Sequence, residues 1–118
     1  MMNLKENTKS PDGNCYLTND IVNTKFNEYI IYGHGCRTIF NHYGIRVQKK
    51  QLIQELGELI VALTKSDLEN IIEEMADVQV MLDQFKLSNK ELDERIQKTK
   101  YEKVKRQLQR INEERGKW

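Results

Sequence analysis

The spacing of hydrophobic and polar positions divides the chain into a polar start and a series of helices. Residues 1–17 are mostly polar, contain the single proline and show no sustained period, which is typical of a flexible N-terminal tail. From residue 18 onward, apolar residues recur at helical spacing, and no segment alternates as a half-buried strand does. The sequence therefore predicts a tail over residues 1–17 and one all-α domain over residues 18–118.

Glycines are expected to set the boundaries of the first helical segments. A helix is predicted to begin after Asp20 and to end at Gly33 and Gly35, because glycine is common just past helix ends. A short helical piece over residues 37–43 is predicted to stop at Gly44. The first long helix should follow that glycine.

Two amphipathic helices are predicted next. Apolar side chains at helical spacing mark the buried face of each: Leu52, Leu56, Leu59 and Leu63 on the first, and Ile71, Val78, Met81, Leu82 and Phe85 on the second. Between them, Ser66 and Glu69 have the spacing of a capping box, so the second helix should start near Asp67. A connection of two or three residues makes the two helices antiparallel neighbours.

Four carboxylates are predicted to converge between these helices. Counted outward from the turn, Glu58 and Glu74 lie at nearly the same height, and so do Glu55 and Asp77. Glu74 falls inside the apolar arc of its helix. Burying an ionised carboxylate among apolar side chains costs several kcal/mol of free energy unless a cation or hydrogen-bond donors compensate it. The pattern therefore predicts an all-oxygen site suited to Mg²⁺, with Mn²⁺ as a substitute.

A final basic helix is predicted after a second capping box from Ser88 to Glu91. The helices together predict an antiparallel, bundle-like domain of four to five helices. Since an elongated helical chain of 118 residues buries little apolar surface alone, we expect oligomerisation to complete the bundle.

Composition narrows the range of partners. Charged residues make up 31% of the chain and the net charge is +1, which gives no general reason to expect nucleic-acid binding. Acidic residues also interrupt the basic face of the last helix. Apolar runs are too short to span a membrane, so a cytoplasmic protein is expected. Cys15 and Cys36 are expected as free thiols, with a disulfide between them as the alternative. Cys36 and the nearby His34 provide only two ligands, too few for a zinc site.

The acidic residues also resemble the signature of a known family. Residues 55–58 read Glu-x-x-Glu, and residues 74–77 read Glu-x-x-Asp after an interval of fifteen residues. This arrangement resembles the motif of MazG-like, all-α nucleoside triphosphate pyrophosphohydrolases. The surrounding stretches QELGELIVAL and EEMADVQVMLDQF are similar as well. The resemblance covers about residues 40–111.

The resemblance implies a reaction and a set of site residues. It implies Mg²⁺-dependent hydrolysis of a nucleoside or deoxynucleoside triphosphate to the monophosphate and pyrophosphate, as housekeeping of the nucleotide pool, by a homodimer or homotetramer. The implied metal ligands and catalytic residues are Glu55, Glu58, Glu74 and Asp77. The implied phosphate-binding residues are Lys103, Arg106 and Arg110.

Residues before the first acidic helix are candidates for contact with the substrate. His42 lies in the segment that immediately precedes this helix, and Gln48 projects on the same side as Glu55 by helical arithmetic. Phe40 and Tyr43 are expected in the core or at an interface, with the wall of the substrate pocket as the alternative. The bound base is not predictable from these residues.

One position departs from the family pattern. Many relatives carry glutamate immediately before the first ligand, where this chain has Gln54. A neutral amide cannot act as a general base, so water activation falls to a ligand carboxylate or to the metal alone. The alternative to an enzyme is a non-catalytic helical interaction module, in which the acids form structural salt bridges with lysine and arginine.

Overall fold

The computed structural model describes the backbone of residues 18–116 and the side chains of residues 24–116. Three helices follow one another: α1 (Thr18–Lys65), α2 (Leu68–Ser88) and α3 (Lys90–Gly116). The described part of the chain contains no strand, so the all-α prediction is confirmed. The prediction of four to five helices is wrong, because one long helix takes the place of the first three segments. The predicted tail and Cys15 lie outside the described residues.

Helix α1 is continuous through two glycines but kinked at a third. Gly33 and Gly35 were expected to end a helix, and this prediction is wrong, since both lie within α1. A glycine inside a helix costs only about 1 kcal/mol relative to alanine, which neighbouring turns can offset. Gly44 has φ 85° and ψ 162°, a backbone conformation essentially restricted to glycine. The predicted stop at Gly44 is therefore present as a kink.

The caps of α2 and α3 lie one residue after the predicted positions. Asp67 is the N-cap of α2, where its side chain accepts a hydrogen bond from the backbone N–H of Asn70 at 3.4 Å. Ser66 has a left-handed φ of 56° and closes the turn. Ser88 is the last residue of α2, and Asn89 accepts a hydrogen bond from the N–H of Leu92 at 3.0 Å. The predicted serine caps are therefore wrong, although both boundaries fall where expected.

The kink gives the two halves of α1 different neighbours. After Gly44, α1 runs antiparallel to α2, and the buried Gln48 side chain donates a hydrogen bond to Gln84 at 2.7 Å. Before Gly44, α1 crosses the C-terminal end of α2, where the Tyr32 hydroxyl donates to Asp83 at 2.7 Å. The rings of Phe40 and Phe85 pack edge to face there, 5.0 Å apart. The predicted antiparallel pair is confirmed.

The three helices form an open structure with a small core. Helix α3 contacts the end of α2 and then diverges, and within the described part of the chain its backbone does not come close to α1. The radius of gyration is 20.3 Å, whereas a compact domain of similar length has about 13 Å. The buried apolar side chains of residues 24–116 are Cys36, Ala62, Val78 and Met81. Among the described helices, none combines the length and the hydropathy needed to cross a membrane.

Candidate metal centre

Three of the four predicted acids meet where α1 and α2 face each other near their connecting turn. Glu55 and Glu58 lie one turn apart on the second half of α1, and Glu74 lies opposite them on α2. Each residue offers one carboxylate oxygen, and these three oxygens lie within 4.8 Å of one another. We call Glu55, Glu58 and Glu74 the carboxylate cluster. The antiparallel pairing explains it, because residues equally far from the turn come to the same height.

Asp77 lies beside the carboxylate cluster and not within it. Its side chain is exposed, and it does not share the 4.8 Å grouping of the other three. It is near enough for its negative charge to raise the pKa of both Glu55 and Glu74. The structure therefore places Asp77 at the rim of the cluster.

Two oxygens of the cluster are buried and without a partner. The residues Glu55 and Glu74 are half-buried, but the Oε2 atom of each is buried and accepts no hydrogen bond within the described chain. Burial is the largest cause that raises the pKa of each carboxyl group, and the charge of Glu58 adds to it. These two carboxylates would therefore gain from a positive charge or a proton.

Positive side chains do not supply that charge among the described residues. The ion pairs found there join residues one turn apart on a single helix, and none includes a member of the carboxylate cluster. Lys103, Arg106 and Arg110 lie on the part of α3 that has diverged, and all three are exposed. A single chain thus does not bring the predicted phosphate-binding residues to the acids.

The two candidate substrate contacts have different surroundings. His42 is exposed just before the kink, and its ring packs edge to face on Tyr43 with the ring centres 4.7 Å apart. Gln48 is only 3% exposed and is bonded to Gln84 between the helices. In this structure Gln48 therefore joins α1 to α2, and His42 is the one of the two that solvent reaches.

Sequence reasoning missed one polar side chain at the site. The amide of Gln51 donates a hydrogen bond from Nε2 to Oε1 of Glu55 at 2.7 Å. This bond lowers the pKa of the Glu55 carboxyl group, although burial outweighs it. The signal available in the sequence was the spacing of four residues, which places a glutamine one turn before the acid.

The cluster borders an open hollow. A cavity of about 380 Å³ lies against it, lined by Gln54, Gly57, Glu58, Val61, Asn70 and Glu74. A small ion and part of a larger ligand can therefore reach the cluster from solvent. Gln54, at the position of departure from the family pattern, lines this hollow.

The donor set fits a hard divalent cation. Mg²⁺ and Mn²⁺ prefer oxygen ligands, and the cluster presents carboxylate oxygens alone. The partnerless Oε2 atoms of Glu55 and Glu74 are the specific point of fit, since a cation would satisfy lone pairs that the described chain leaves unused. When bound there, such a cation would polarise a phosphate oxygen or acidify a water molecule.

Comparison of this chain with protein-family models, with curated proteins and with solved structures finds no match. The geometry of the carboxylate cluster and the resemblance of its motif to that of MazG-like enzymes are therefore the grounds for proposing a function.

Proposed function

We propose that this protein is a Mg²⁺-dependent nucleoside triphosphate pyrophosphohydrolase, which releases pyrophosphate and leaves the monophosphate. The observation that carries the proposal is the carboxylate cluster. Three of its oxygens lie within 4.8 Å of one another, and two buried oxygens have no hydrogen-bond partner in the described part of the chain. An acidic cluster of this kind also occurs without a metal. The resemblance of residues 55–58 and 74–77 to the metal-binding motif of MazG-like enzymes is the second support for the proposal.

Each acid has a role in this proposal. Glu55, Glu58 and Glu74 hold the cation, and Asp77 joins them from the rim or contacts its water shell. Mg²⁺ would supply charge neutralisation at the phosphates. Because Gln54 is neutral, the proton of the attacking water passes to a carboxylate of the site or to solvent. His42, exposed beside the kink, is retained as a substrate contact, and Gln48 supports the site from between the helices.

The phosphate-binding residues require an assembly in this proposal. Lys103, Arg106 and Arg110 lie on the diverging part of α3, so the charge that they would bring to the phosphates acts at a site shared between chains. We therefore include a homodimer or homotetramer in the proposed function. The large exposed apolar area of the single chain supports this part of the proposal.

The test is an assay of pyrophosphate release with the full chain, Mg²⁺ and a panel of canonical and modified nucleoside triphosphates. We expect turnover of at least one triphosphate, and we expect Glu58→Gln to abolish it without loss of helicity by circular dichroism. Glu91→Gln is the matched control, because Glu91 is an exposed glutamate in the first turn of α3, away from the acids and from the proposed phosphate-binding residues. Undiminished pyrophosphate release by Glu58→Gln would refute the assignment.

Calorimetry with Mg²⁺ and Mn²⁺ separates the enzyme from the interaction module. A protein that uses these acids only for salt bridges binds neither cation specifically, whereas the proposed enzyme binds both. Specific binding by the wild type and Glu91→Gln, with loss in Glu58→Gln, is the expected result. Absence of cation binding by the wild type would favour the non-catalytic module.

A further inference from the structure

Glu55 differs from the other members of the carboxylate cluster in having a fixed partner for one oxygen. Its Oε1 accepts the hydrogen bond from Gln51 Nε2 at 2.7 Å, and its Oε2 is buried and has no partner among the residues that the structure describes. Gln51 and Glu55 are both half-buried, so solvent competes less for this bond than for one on an open surface. The two oxygens of one carboxylate therefore have separate surroundings.

A hydrogen bond to one oxygen restricts the whole carboxylate. Rotation about the last side-chain bond exchanges the two oxygens, and this torsion is broad when nothing holds it. With Oε1 held by the amide, the plane of the group is set and Oε2 keeps its lone pairs for another ligand. Residues that orient metal ligands in this way commonly change metal affinity by about 10- to 100-fold when they are replaced.

We propose that Gln51 is a positioning residue that holds Oε1 of Glu55 so that Oε2 binds the divalent cation of the site. This inference rests on the proposed metal-binding function. The competing explanation is that Gln51 and Glu55 form an ordinary helix pair one turn apart, which stabilises the helix slightly. An ordinary pair changes stability slightly and leaves cation affinity unchanged, so the two explanations predict different measurements.

The experiment titrates the full chain with Mn²⁺ alone and follows the free ion by electron paramagnetic resonance. Gln51→Met keeps the length and helix propensity of the side chain but removes the amide donor. Gln51→Ala removes the donor by truncation. The experiment can therefore be done with whichever of the two variants is folded. Gln109→Met, an exposed glutamine on α3, is the matched control. Circular dichroism and the melting temperature check that each variant is folded.

We expect the wild type and Gln109→Met to bind Mn²⁺ with equal affinity, and the Gln51 variants to bind about 10-fold or more weakly at unchanged helicity. A dissociation constant within about twofold of the wild type in a folded Gln51 variant would overturn the positioning role and leave the metal site intact. Failure of the wild type to bind Mn²⁺ would instead overturn the proposed function, and the inference with it.

Discussion

At the scale of single residues, Glu55 and Glu74 should make the metal-free protein sensitive to pH. Burial raises the pKa of both groups above its ordinary value, and the charges of Glu58 and Asp77 raise it further. The folded state therefore binds protons more readily than the unfolded chain. Where that holds, the free energy of unfolding falls as pH rises, starting near the ordinary carboxyl pKa and ending above the raised ones.

This pH dependence can be measured by urea unfolding in the presence of a chelator. Glu74→Gln removes one of the two groups, so it should be more stable than the wild type at neutral pH. It should lose that advantage as the pH falls from above the raised pKa values to the ordinary carboxyl pKa. Saturating Mg²⁺ should also remove the wild type's loss of stability. A difference between the two proteins that stays constant with pH would contradict the prediction.

Gln48 and Gln84 give a second residue-scale prediction. Both are only 3% exposed, and their side chains bond to each other across α1 and α2. Gln48→Leu removes the donor and leaves the buried Oε1 of Gln84 without its partner, which should cost about 1–3 kcal/mol of stability. Gln84→Leu should have a similar cost.

The double variant Gln48→Leu/Gln84→Leu tests whether the bond itself is responsible. It removes both polar groups together, so its loss of stability should be smaller than the sum of the two single losses. Urea unfolding of all four proteins completes the double-mutant cycle. Strictly additive losses would show that the two amides act independently.

At the scale of helices, the sequence predicted the antiparallel hairpin of α2 and the second half of α1 better than it predicted the segments around that hairpin. The apolar periodicity and the short link predicted the antiparallel α1–α2 pair, because those signals are local. Equal distances from the turn then predicted that Glu58 meets Glu74. Gly33 and Gly35 misled, because the cost of a glycine inside a helix, about 1 kcal/mol, is too small by itself to end one.

Other features depend on contacts between segments that are distant in the sequence. The direction of α1 before Gly44 and the divergence of α3 depend on packing, which periodicity does not encode. Gln48 was placed on the side of Glu55 by helical arithmetic, but its burial depends on Gln84, 36 residues away. The serine caps were misplaced by one residue because Asp67 and Asn89 cap equally well.

Gly44 gives the prediction that belongs to this scale. Its φ of 85° and ψ of 162° strain any residue with a side chain, so Gly44→Ala should lower stability by about 1–3 kcal/mol. Gly35→Ala is the matched control, because Gly35 lies within α1 and an added Cβ meets nothing within 4 Å. That substitution should stabilise the helix by about 0.5–1 kcal/mol.

Thermal and urea unfolding of the two glycine variants would measure the difference. The expected result is opposite signs at two positions of one helix. A Gly44→Ala protein as stable as the wild type would mean that α1 can pass residue 44 as a straight helix, and that the kink does not determine where the first half of α1 lies.

At the scale of the whole molecule, the chain exposes more surface than a compact monomer does. Its accessible surface is 9746 Å², whereas a compact protein of this length exposes about 6,700 Å². Large apolar side chains are among the exposed residues. Ile53, Leu56, Ile60 and Leu63 are spaced three and four residues apart along α1 and are 69%, 41%, 64% and 54% exposed. We call these four residues the outer stripe. Leu56 and Leu63 were predicted on the buried face of this helix, and for the single chain that prediction is wrong.

The outer stripe predicts self-association of the α1–α2 hairpins. A second hairpin packed against it would make a four-helix bundle and remove these side chains from water, at about 25 cal/mol for each Å² buried. The stripe lies on the same half of α1 as Glu55 and Glu58. At about 100° per residue, however, the stripe lies roughly 120–180° around α1 from these two acids, so association through this face predicts no direct effect on the carboxylate cluster.

Sedimentation velocity on the wild type and on Ile60→Glu would test this prediction. The wild type should sediment with at least twice the mass of one chain. The association equilibrium of Ile60→Glu should shift towards the monomer, because burying the new charge in the interface would cost several kcal/mol. Lys50→Glu is the control, since it introduces the same carboxylate, with a larger change of net charge, at an exposed polar position of α1. A wild type that stays monomeric at high protein concentration would contradict the bundle, and equal dissociation of both variants would trace the effect to net charge.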